Sequence, residues 1–314
     1  MIPAWSGRSE LPEPTGDAAE AAAETTAVEP GASFLADAWS ELVHNPLFIV
    51  SGAIVVLILA IVIFPAPFAG LFGHGNPHAC NLADSNEGPR AGHPFGFDVQ
   101  GCDLYANVIY GARPTVTIGL LVTGTSLMIA IVLGSLAGFL GGAVDTILGR
   151  LADVFFGFPF ILGAIIILTV IPERNVLTVS LVLIIFGWPV MTRLMRSTVL
   201  GERSKDYVLA ARSLGASNMR ILRKHILPNA VAPVIVYATL VTGGIMVAEA
   251  TLTFLGVGLQ APAISWGLEL ASAQTEIQQY PHLLIFPGLF LSITVLAFVT
   301  LGDTLRDALD PRLR

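Results

Sequence analysis

The stretch Asp206-Tyr-Val-Leu-Ala-Ala-Arg-Ser-Leu-Gly215-Ala-Ser-Asn-Met-Arg-Ile-Leu-Arg-Lys-His-Ile-Leu-Pro228 is a basic, largely polar island in a chain that is otherwise strongly apolar. Lys and Arg accumulate in the cytoplasmic loops of membrane proteins. We therefore predict that residues of about 200–228 form a cytoplasmic loop. Half of the 16 basic residues of the chain lie in this island or shortly before it, namely Arg193, Arg196, Arg203, Lys205, Arg212, Arg220, Arg223 and Lys224.

The rest of the chain has the composition of a helical membrane protein. Of its 314 residues, 54% are apolar and 12% are charged, whereas soluble domains carry about 25% charged residues. The apolar residues come in continuous blocks of about 20, long enough to cross a hydrocarbon core of about 30 Å, and they lack the alternation of a transmembrane β-barrel. We predict an all-α polytopic protein with six transmembrane helices, at about residues 46–64, 114–140, 151–171, 176–195, 229–255 and 283–301.

The distribution of basic residues predicts the topology. An even number of spans places both termini on one side of the membrane. With the 200–228 loop inside, 13 of the 16 basic residues are cytoplasmic, and Arg90, Arg113 and Arg174 lie outside. This distribution follows the positive-inside rule, so we expect a multi-pass membrane protein with both termini in the cytoplasm.

The acidity of the chain belongs to its amino-terminal segment. Residues 1–45 hold eight acids and one base, a balance of 1 − 8 = −7 that equals the net charge of the whole chain. Residues 1–32 have almost no bulky apolar groups, so we predict a disordered acidic cytoplasmic tail rather than a signal peptide. Residues 33–45 place apolar side chains on one helical face, which fits either an interfacial helix or a plain extension of the first span.

Both cysteines, Cys80 and Cys102, fall in a predicted outer loop of residues 65–113. An extracytoplasmic location permits a disulfide between them, and two free thiols are the alternative. Nearby histidines at positions 74, 78 and 93 could bind a metal, but polar loop histidines are commoner than ligands. We therefore expect a disulfide and no metal site.

No feature of the sequence predicts catalysis. The chain has no Gly-x4-Gly-Lys-Ser/Thr phosphate loop, and no nucleophile–base pair or zinc-ligand spacing stands out. We expect a non-catalytic chain with no cofactor of its own, whose partners are the lipid bilayer and other proteins rather than nucleic acid. If ATP powers this protein, another chain binds the ATP.

Residues 205–228, called the elbow below, are predicted to form two short helices. A first helix over 205–214 would place Tyr207, Ala210, Ala211 and Leu214 on one stripe, shallow enough for another protein to approach closely. Gly215 would break this helix and permit a positive φ angle. A second helix, capped by Ser217, would end near Pro228. The alternative is an ordinary loop whose basic residues only hold the topology.

The spacing in the elbow resembles the ATPase-docking loop of bacterial ABC importer permeases. The shared order is Ala210-Ala211, three residues, Gly215, and then Leu227-Pro228. Two positions depart from the family pattern, since Leu209 replaces the Glu of its Glu-Ala-Ala element and His225 replaces an Ile. The resemblance implies that the elbow couples ATPases to a transmembrane pathway, through Tyr207, Ala210, Ala211, Arg212, Leu214, Gly215, Ala216, Met219 and Arg220.

Further segments resemble the dipeptide/oligopeptide/nickel branch of this family. They are His93-Pro-Phe-Gly-Phe-Asp98, Gly101-Cys-Asp103, Ile109-Tyr-Gly-Ala-Arg113, Glu249 to Gln260, Ser265-Trp-Gly267 and Leu305 to Arg312. The likeness covers about residues 45–314 and points to the second of the branch's two permeases. Cys102 replaces an Arg that is usual in this branch, which a disulfide to Cys80 would explain.

The resemblance implies a type I ABC importer permease fold over residues 46–314, in the cytoplasmic membrane of a bacterium. The implied partners are a homologous permease in a heterodimer, two ABC ATPases that bind ATP and Mg, and an extracytoplasmic solute-binding protein. The implied cargo is a short peptide. The same machinery could instead import nickel chelates, opines or other small solutes. A self-sufficient channel or carrier and a scaffold protein are more distant alternatives.

Three residues are candidates for the translocation pathway. Glu249 would lie near the outer interface, where an acidic side chain is a functional candidate. It could attract the amino terminus of a peptide or form a structural hydrogen bond to the adjoining loop. Pro159 and Pro189 should kink the third and fourth spans, which suits a pathway that changes shape. Gly134, Gly138 and Gly142 have the small-xxx-small spacing of a possible dimer face.

Overall fold

The computed structural model describes residues 34–73 and 75–309, with only the backbone for residues 34–38. The predicted acidic tail of residues 1–32 and His74 lie outside the described residues. Within these ranges the chain is helical and contains no β-strand. The helices are α1 (Phe34–His44), α2 (Pro46–Ile63), α3 (Pro65–Ala69), α4 (Leu104–Leu140), α5 (Gly142–Phe156), α6 (Phe160–Val170), α7 (Val176–Arg203), α8 (Asp206–Ser213), α9 (Asn218–Phe254), α10 (Trp266–Ser272) and α11 (His282–Leu309).

Five of the described helices, α2, α4, α7, α9 and α11, are each long and apolar enough to cross a membrane. The third predicted span is a pair of helices, α5 and α6, which meet at a bend of 79°. Residues 34–73 and 75–309 therefore contain five candidate spans, or six if the bent pair counts as one. This confirms the all-helical membrane fold.

The second span begins ten residues earlier than predicted. Asp103 caps α4, because its Oδ1 accepts a hydrogen bond from the backbone N–H of Tyr105 at 2.9 Å. Pro114 lies inside the helix rather than at its start. The predicted outer loop of residues 65–113 is correspondingly shorter, since its last ten residues are the first turns of α4 and Pro65–Ala69 forms the short helix α3.

The two predicted proline kinks have different outcomes. Pro189 lies inside the continuous helix α7. Pro159 is the N-cap residue of α6, so the third span is broken there rather than kinked. Proline has no backbone N–H and its ring clashes with the preceding turn. The break is completed by Gly157, whose N–H closes the last turn of α5 on the carbonyl of Asp153 at 3.1 Å.

Helix α4 is the centre of the bundle, and its glycines bring α7 into close contact. A Cβ on Gly134 would come within 2.7 Å of the carbonyl oxygen of Thr192. A Cβ on Gly138 would come within 2.8 Å of the carbonyl oxygen of Arg196. These glycines therefore serve packing within the chain, and their interpretation as a dimer face was wrong. Small residues let two helix backbones approach, and the spacing alone does not say which helix approaches.

The segment after the fifth span folds back onto the bundle. Trp266 at the start of α10 is fully buried, and its indole N–H donates to the carbonyl of Val108 in α4 at 2.8 Å. Gly111 makes room for this ring, since a Cβ there would lie 3.3 Å from Trp266. Residues 256–282 lie between the fifth and sixth predicted spans. The structure shows there a short buried helix packed against α4, α9 and α11.

Candidate functional site

The elbow is a helical corner centred on Gly215. Helix α8 ends in the hydrogen-bond pattern of a Schellman motif, in which Gly215 N–H donates to Arg212 and Ala216 N–H donates to Ala211, at 3.0 and 3.1 Å. Gly215 has a φ of +80°, a conformation that strongly favours glycine. The predicted helix break and positive φ at Gly215 are therefore confirmed.

The second arm of the elbow does not end at Pro228. Ser217 occupies the N-cap position, but its side chain makes no capping hydrogen bond. The chain then passes through a π-helical turn, Leu222–Ile226, directly into the α-helical part Leu227–Phe254. Pro228 is tolerated because it lies in the first turn of that part, where its missing N–H is not needed. The elbow is thus continuous with the fifth span.

The predicted coupling residues divide into an exposed set and an inward set. Ala211 and Ala216 pack inward with buried Val208 against a cluster that includes Met195 and Ile221. The expectation that both alanines of the stripe face outward was therefore wrong for Ala211. The exposed set comprises Tyr207, Ala210, Arg212, Leu214, Gly215, Met219 and Arg220.

The exposed face of the elbow is unusually apolar for a surface loop. Leu214 is 88% exposed at the corner, and Met219 and Leu209 are also more than a third exposed. Leu209 stands at the position where the resembling family has Glu, so this surface has an apolar group in place of a charge. Exposed apolar patches with a polar rim mark protein interaction sites. Here the rim is basic and includes Arg212 and Arg220.

Tyr207 anchors the elbow to both adjoining spans. Its hydroxyl donates to Glu202 Oε2 at the end of α7 at 2.6 Å, and accepts from Asn229 Nδ2 in α9 at 3.2 Å. Glu202 also binds Lys205 at 2.6 Å. Burial and the Glu202 carboxylate raise the pKa of Tyr207, which keeps its hydroxyl protonated. The sequence marked Tyr207 as a contact residue but missed Glu202 and Asn229, which have no motif of their own.

A cavity of about 310 Å³ lies at the break in the third span. It is lined from both sides of Pro159, by residues of α5 and α6, and by residues on both sides of Pro189 in α7. Val241 and Tyr237 of α9 complete the wall. Neighbours of both predicted prolines therefore line one cavity, although the prolines themselves are not lining residues. The sequence did not predict the aromatic lining of this cavity, because phenylalanines look like ordinary apolar residues of a span. The lining phenylalanines are Phe155, Phe156, Phe158, Phe160 and Phe186.

Phe186 holds the two halves of the broken span in place. Its ring packs edge-on against Phe155 of α5 and Phe160 of α6, with centroids 6.2 and 6.4 Å apart. Gly163 leaves space for this ring, since a Cβ there would lie 2.5 Å from it. On the other side of the break, Asp153 of α5 binds Arg193 of α7 at 2.7 Å.

Glu249 is fully buried and does not line this cavity. Its Oε1 accepts a hydrogen bond from the hydroxyl of Thr253 at 2.9 Å. The same hydroxyl oxygen accepts from the backbone N–H of Leu259 at 3.0 Å. The carboxyl group is therefore connected through Thr253 to the segment that follows the fifth span. The hydroxyl of Thr115 lies next to the carboxyl group from the side of α4.

The segment before α4 is a compact unit held by a disulfide between Cys80 and Cys102. The predicted pairing is thus confirmed. His93, which the sequence raised as a possible metal ligand, lies with its Nδ1 2.9 Å from Asp103 Oδ2. Among the described residues, no group of three His, Cys, Asp or Glu side chains could hold a metal ion.

Two carboxyl groups near this unit are buried, which the sequence did not predict. Asp98 accepts hydrogen bonds from the backbone N–H groups of Gln100 and Cys102, each at 2.8 Å, and from Asn107 Nδ2 at 2.9 Å. Glu269 lies in the buried helix α10, and burial, followed by the neighbouring Asp98 carboxylate, raises its pKa to about 8. No local motif predicts these burials, since they arise where α10 packs back onto the bundle.

Comparison with known protein families gives two matches. Residues 130–314 match the family described as binding-protein-dependent transport system inner membrane component. Residues 33–89 match the N-terminal TM domain of oligopeptide transport permease C. The first match includes the elbow, the cavity and Glu249, and the second includes Cys80.

Curated relatives are similar over most of the chain. The oligopeptide transport system permease protein OppC of Bacillus subtilis is 37% identical over 258 residues, which cover 82% of this chain and 84% of the relative. The dipeptide transport system permease protein DppC of the same organism is 36% identical over 289 residues, or 91% and 88% of the two chains. The glutathione transport system permease protein GsiD of Pectobacterium atrosepticum is 36% identical over 276 residues, or 88% and 90%.

Proposed function

Since this chain belongs to the family of binding-protein-dependent transport system inner membrane components, we propose that it is one of two homologous permease subunits through which an ABC importer moves short peptides. The relatives named for oligopeptide, dipeptide and glutathione transport support this cargo class, because all three names denote short peptides. Residues 46–314 form the permease domain in this proposal. The chain itself carries out no covalent chemistry.

The exposed elbow is the observation that supports coupling to ATPases. It presents an apolar corner at Leu214 with a basic rim, and its second arm continues into the fifth span. An ATPase subunit that holds this corner can therefore displace a transmembrane helix when it closes on ATP and Mg. Ala211 and Ala216 shape the corner from inside, while Ala210, Leu214 and Met219 form the contact surface.

The proposed orientation places the elbow and both termini in the cytoplasm of a bacterial cell. The positive-inside distribution supports this, with 13 of 16 basic residues on that side. The disulfide unit around Cys102 then faces the extracytoplasmic space, where a disulfide persists. A solute-binding protein would deliver cargo on that side.

The two permeases would enclose the pathway as a heterodimer, and the broken span supports a shape-changing wall. Residues next to Pro159 and Pro189 line the cavity near the break. Glu249 has a different role in this proposal. Because it is buried beneath Thr253 and the Leu259 segment, it positions the outer end of the fifth span rather than meeting the cargo.

Reconstitution of the whole complex tests the proposed function. The chain is co-expressed with a tag alongside the permease, ATPase and binding-protein genes of its own locus, and the complex is purified. We expect ATPase subunits and a second permease to co-purify, and a peptide-loaded binding protein to stimulate ATP hydrolysis and uptake. Purification of the chain without an ATPase would contradict the proposal. A complex stimulated by nickel chelates or opines and not by peptides would keep the machinery and change the cargo.

A further inference from the structure

The cavity at the broken span has the chemistry of a side-chain pocket. Its volume of about 310 Å³ lies at the lower end of the range of roughly 300–1,000 Å³ found for ligand pockets. That space corresponds to about ten water molecules at roughly 30 Å³ each, so it holds a side chain or two and not a whole oligopeptide. Five phenylalanines and aliphatic side chains make up most of its wall.

The cavity lies between the helices and next to a charged pair: Arg193, which binds Asp153, has its guanidinium 4.2 Å from the ring of Phe156 in the cavity wall. The aromatic walls of the cavity favour an apolar occupant.

Two hydrogen-bond donors border the apolar walls. Tyr237, whose hydroxyl is a hydrogen-bond donor, is one of the residues that line the cavity. The amino terminus of α6 begins beside it, and no side chain caps this terminus. First-turn N–H groups of a helix lack partners within the helix. A backbone carbonyl or carboxylate next to an inserted apolar side chain would match these donors, whereas a lipid acyl chain offers no acceptor.

The wall of the cavity also lies where the chain can change shape. Phe158 and Phe160 stand on the two sides of Pro159, so a change in the 79° bend changes the cavity directly. Broken transmembrane helices commonly line the substrate sites of transporters, because their free backbone groups need partners.

We propose that this cavity is a specificity subsite, in which an aromatic or large aliphatic side chain of a peptide inserts while the peptide crosses the membrane. This inference rests on the proposed function as a peptide importer subunit. The occupant is the peptide side chain itself, and its backbone carbonyl bonds to the Tyr237 hydroxyl or the amino end of α6.

A cavity-filling variant with a matched control tests the subsite. Val190→Trp fills the cavity from α7, and Leu181→Trp adds the same ring to the same helix outside the cavity. Both positions are well exposed in the chain, at 40% and 51%, so both variants are expected to fold. Uptake of trialanine and of alanyl-phenylalanyl-alanine is measured as kcat/KM in proteoliposomes that hold the complete importer.

The expected result is a loss of preference for the aromatic peptide. We define the ratio as kcat/KM for the aromatic peptide divided by kcat/KM for trialanine. Val190→Trp should lower this ratio by about tenfold or more, because a misfit in an apolar pocket typically has an effect of this size. Leu181→Trp should leave the ratio unchanged. Each variant's ratio is compared with the wild-type ratio. Because the same binding protein is used throughout, its own preference between the two peptides affects both ratios equally and cancels. An unchanged ratio in Val190→Trp, or equal loss of both peptides with the complex intact, overturns the subsite.

Photocrosslinking separates the peptide from lipid as the occupant. A tripeptide that carries benzoylphenylalanine should label residues of the cavity wall in wild type, in competition with the unlabelled aromatic peptide. Labelling of the wall by a diazirine phospholipid, without competition by peptide, would overturn the proposal and identify a lipid site. Failure of wild type to take up any peptide would instead refute the proposed function, so the two failures are distinguishable.

Discussion

Substitutions of Gly215 by residues of different size distinguish two effects: backbone strain in the elbow and steric obstruction of the surface that an ATPase would contact. Gly215 has a φ of +80°, and no heavy atom lies within 4 Å of the position that a Cβ would take. The penalty of an Ala in this chain is therefore the backbone cost of a left-handed residue, about 1–2 kcal/mol. That cost corresponds to a factor of about 5–30 in the population of the native elbow. An Asn should cost less, because it tolerates this region better.

A leucine at this position adds bulk at the exposed corner. Gly215→Leu has the same backbone cost as Gly215→Ala, and its extra atoms project where an ATPase would dock. We expect Gly215→Ala to lower stimulated ATPase activity by at most the factor above, and Gly215→Leu to abolish both stimulation and uptake. Gly201→Leu is the control, since Gly201 also has open space around its Cβ position but lacks a positive φ.

The assay measures complex assembly, ATP hydrolysis stimulated by the loaded binding protein, and uptake, all on the same purified preparations. Normal transport by Gly215→Leu would refute the assignment of the elbow as the coupling surface. A loss of assembly with the second permease in every Gly215 variant would show that the glycine is structural. The Gly201→Leu complex should behave as wild type in all three measurements.

Three further predictions concern the outer side of the protein. Cys80 and Cys102 should resist alkylation in the intact protein and react after reduction, and labelling without reductant would contradict the disulfide. Glu249→Gln should keep transport, whereas Glu249→Leu should reduce transport and make the 255–265 segment more susceptible to limited proteolysis. Loss of transport in the Gln variant at unchanged protein level would show that the negative charge is needed. Burial raises the pKa of Glu269 from 4.5 to about 8. Between these two pH values the folded protein keeps a proton that the unfolded chain releases. The stabilisation that is fully present below pH 4.5 is therefore lost as the pH rises toward about 8. The melting temperature of wild type should therefore fall over that range, and that of Glu269→Gln should fall less; equal slopes would contradict this.

The membrane fold was predictable because a lipid environment leaves few alternatives. Every backbone polar group must be satisfied within the membrane, so a continuous apolar block of about 20 residues is read as a helix. The ends of the helices were less predictable. Helix α4 begins at Leu104 because Asp103 caps it, and no hydrophobic pattern marks that position.

The elbow shows which structural features a local sequence pattern predicts and which it does not. Gly215 was identified correctly, because a positive φ is a property of one residue and its neighbours. The orientation of Ala211 was not, because adjacent alanines look alike in sequence and only packing against the cluster of Val208 and Ile221 turns Ala211 inward. Likewise Pro228 reads as a helix terminator, although it lies in the first turn of an α-helical segment that follows a π-helical turn.

The sequence by itself determined the class of the protein, its apolar segments, the paired cysteines and the glycine corner. Each of these depends on composition or on a few neighbouring residues. The tertiary structure alone decided that Pro159 breaks its span while Pro189 does not, that five phenylalanines surround one cavity, and that Glu249 and Glu269 are buried. The physical reason is that burial and cavity shape depend on contacts between residues far apart in the chain, such as Phe186 with both halves of the broken span.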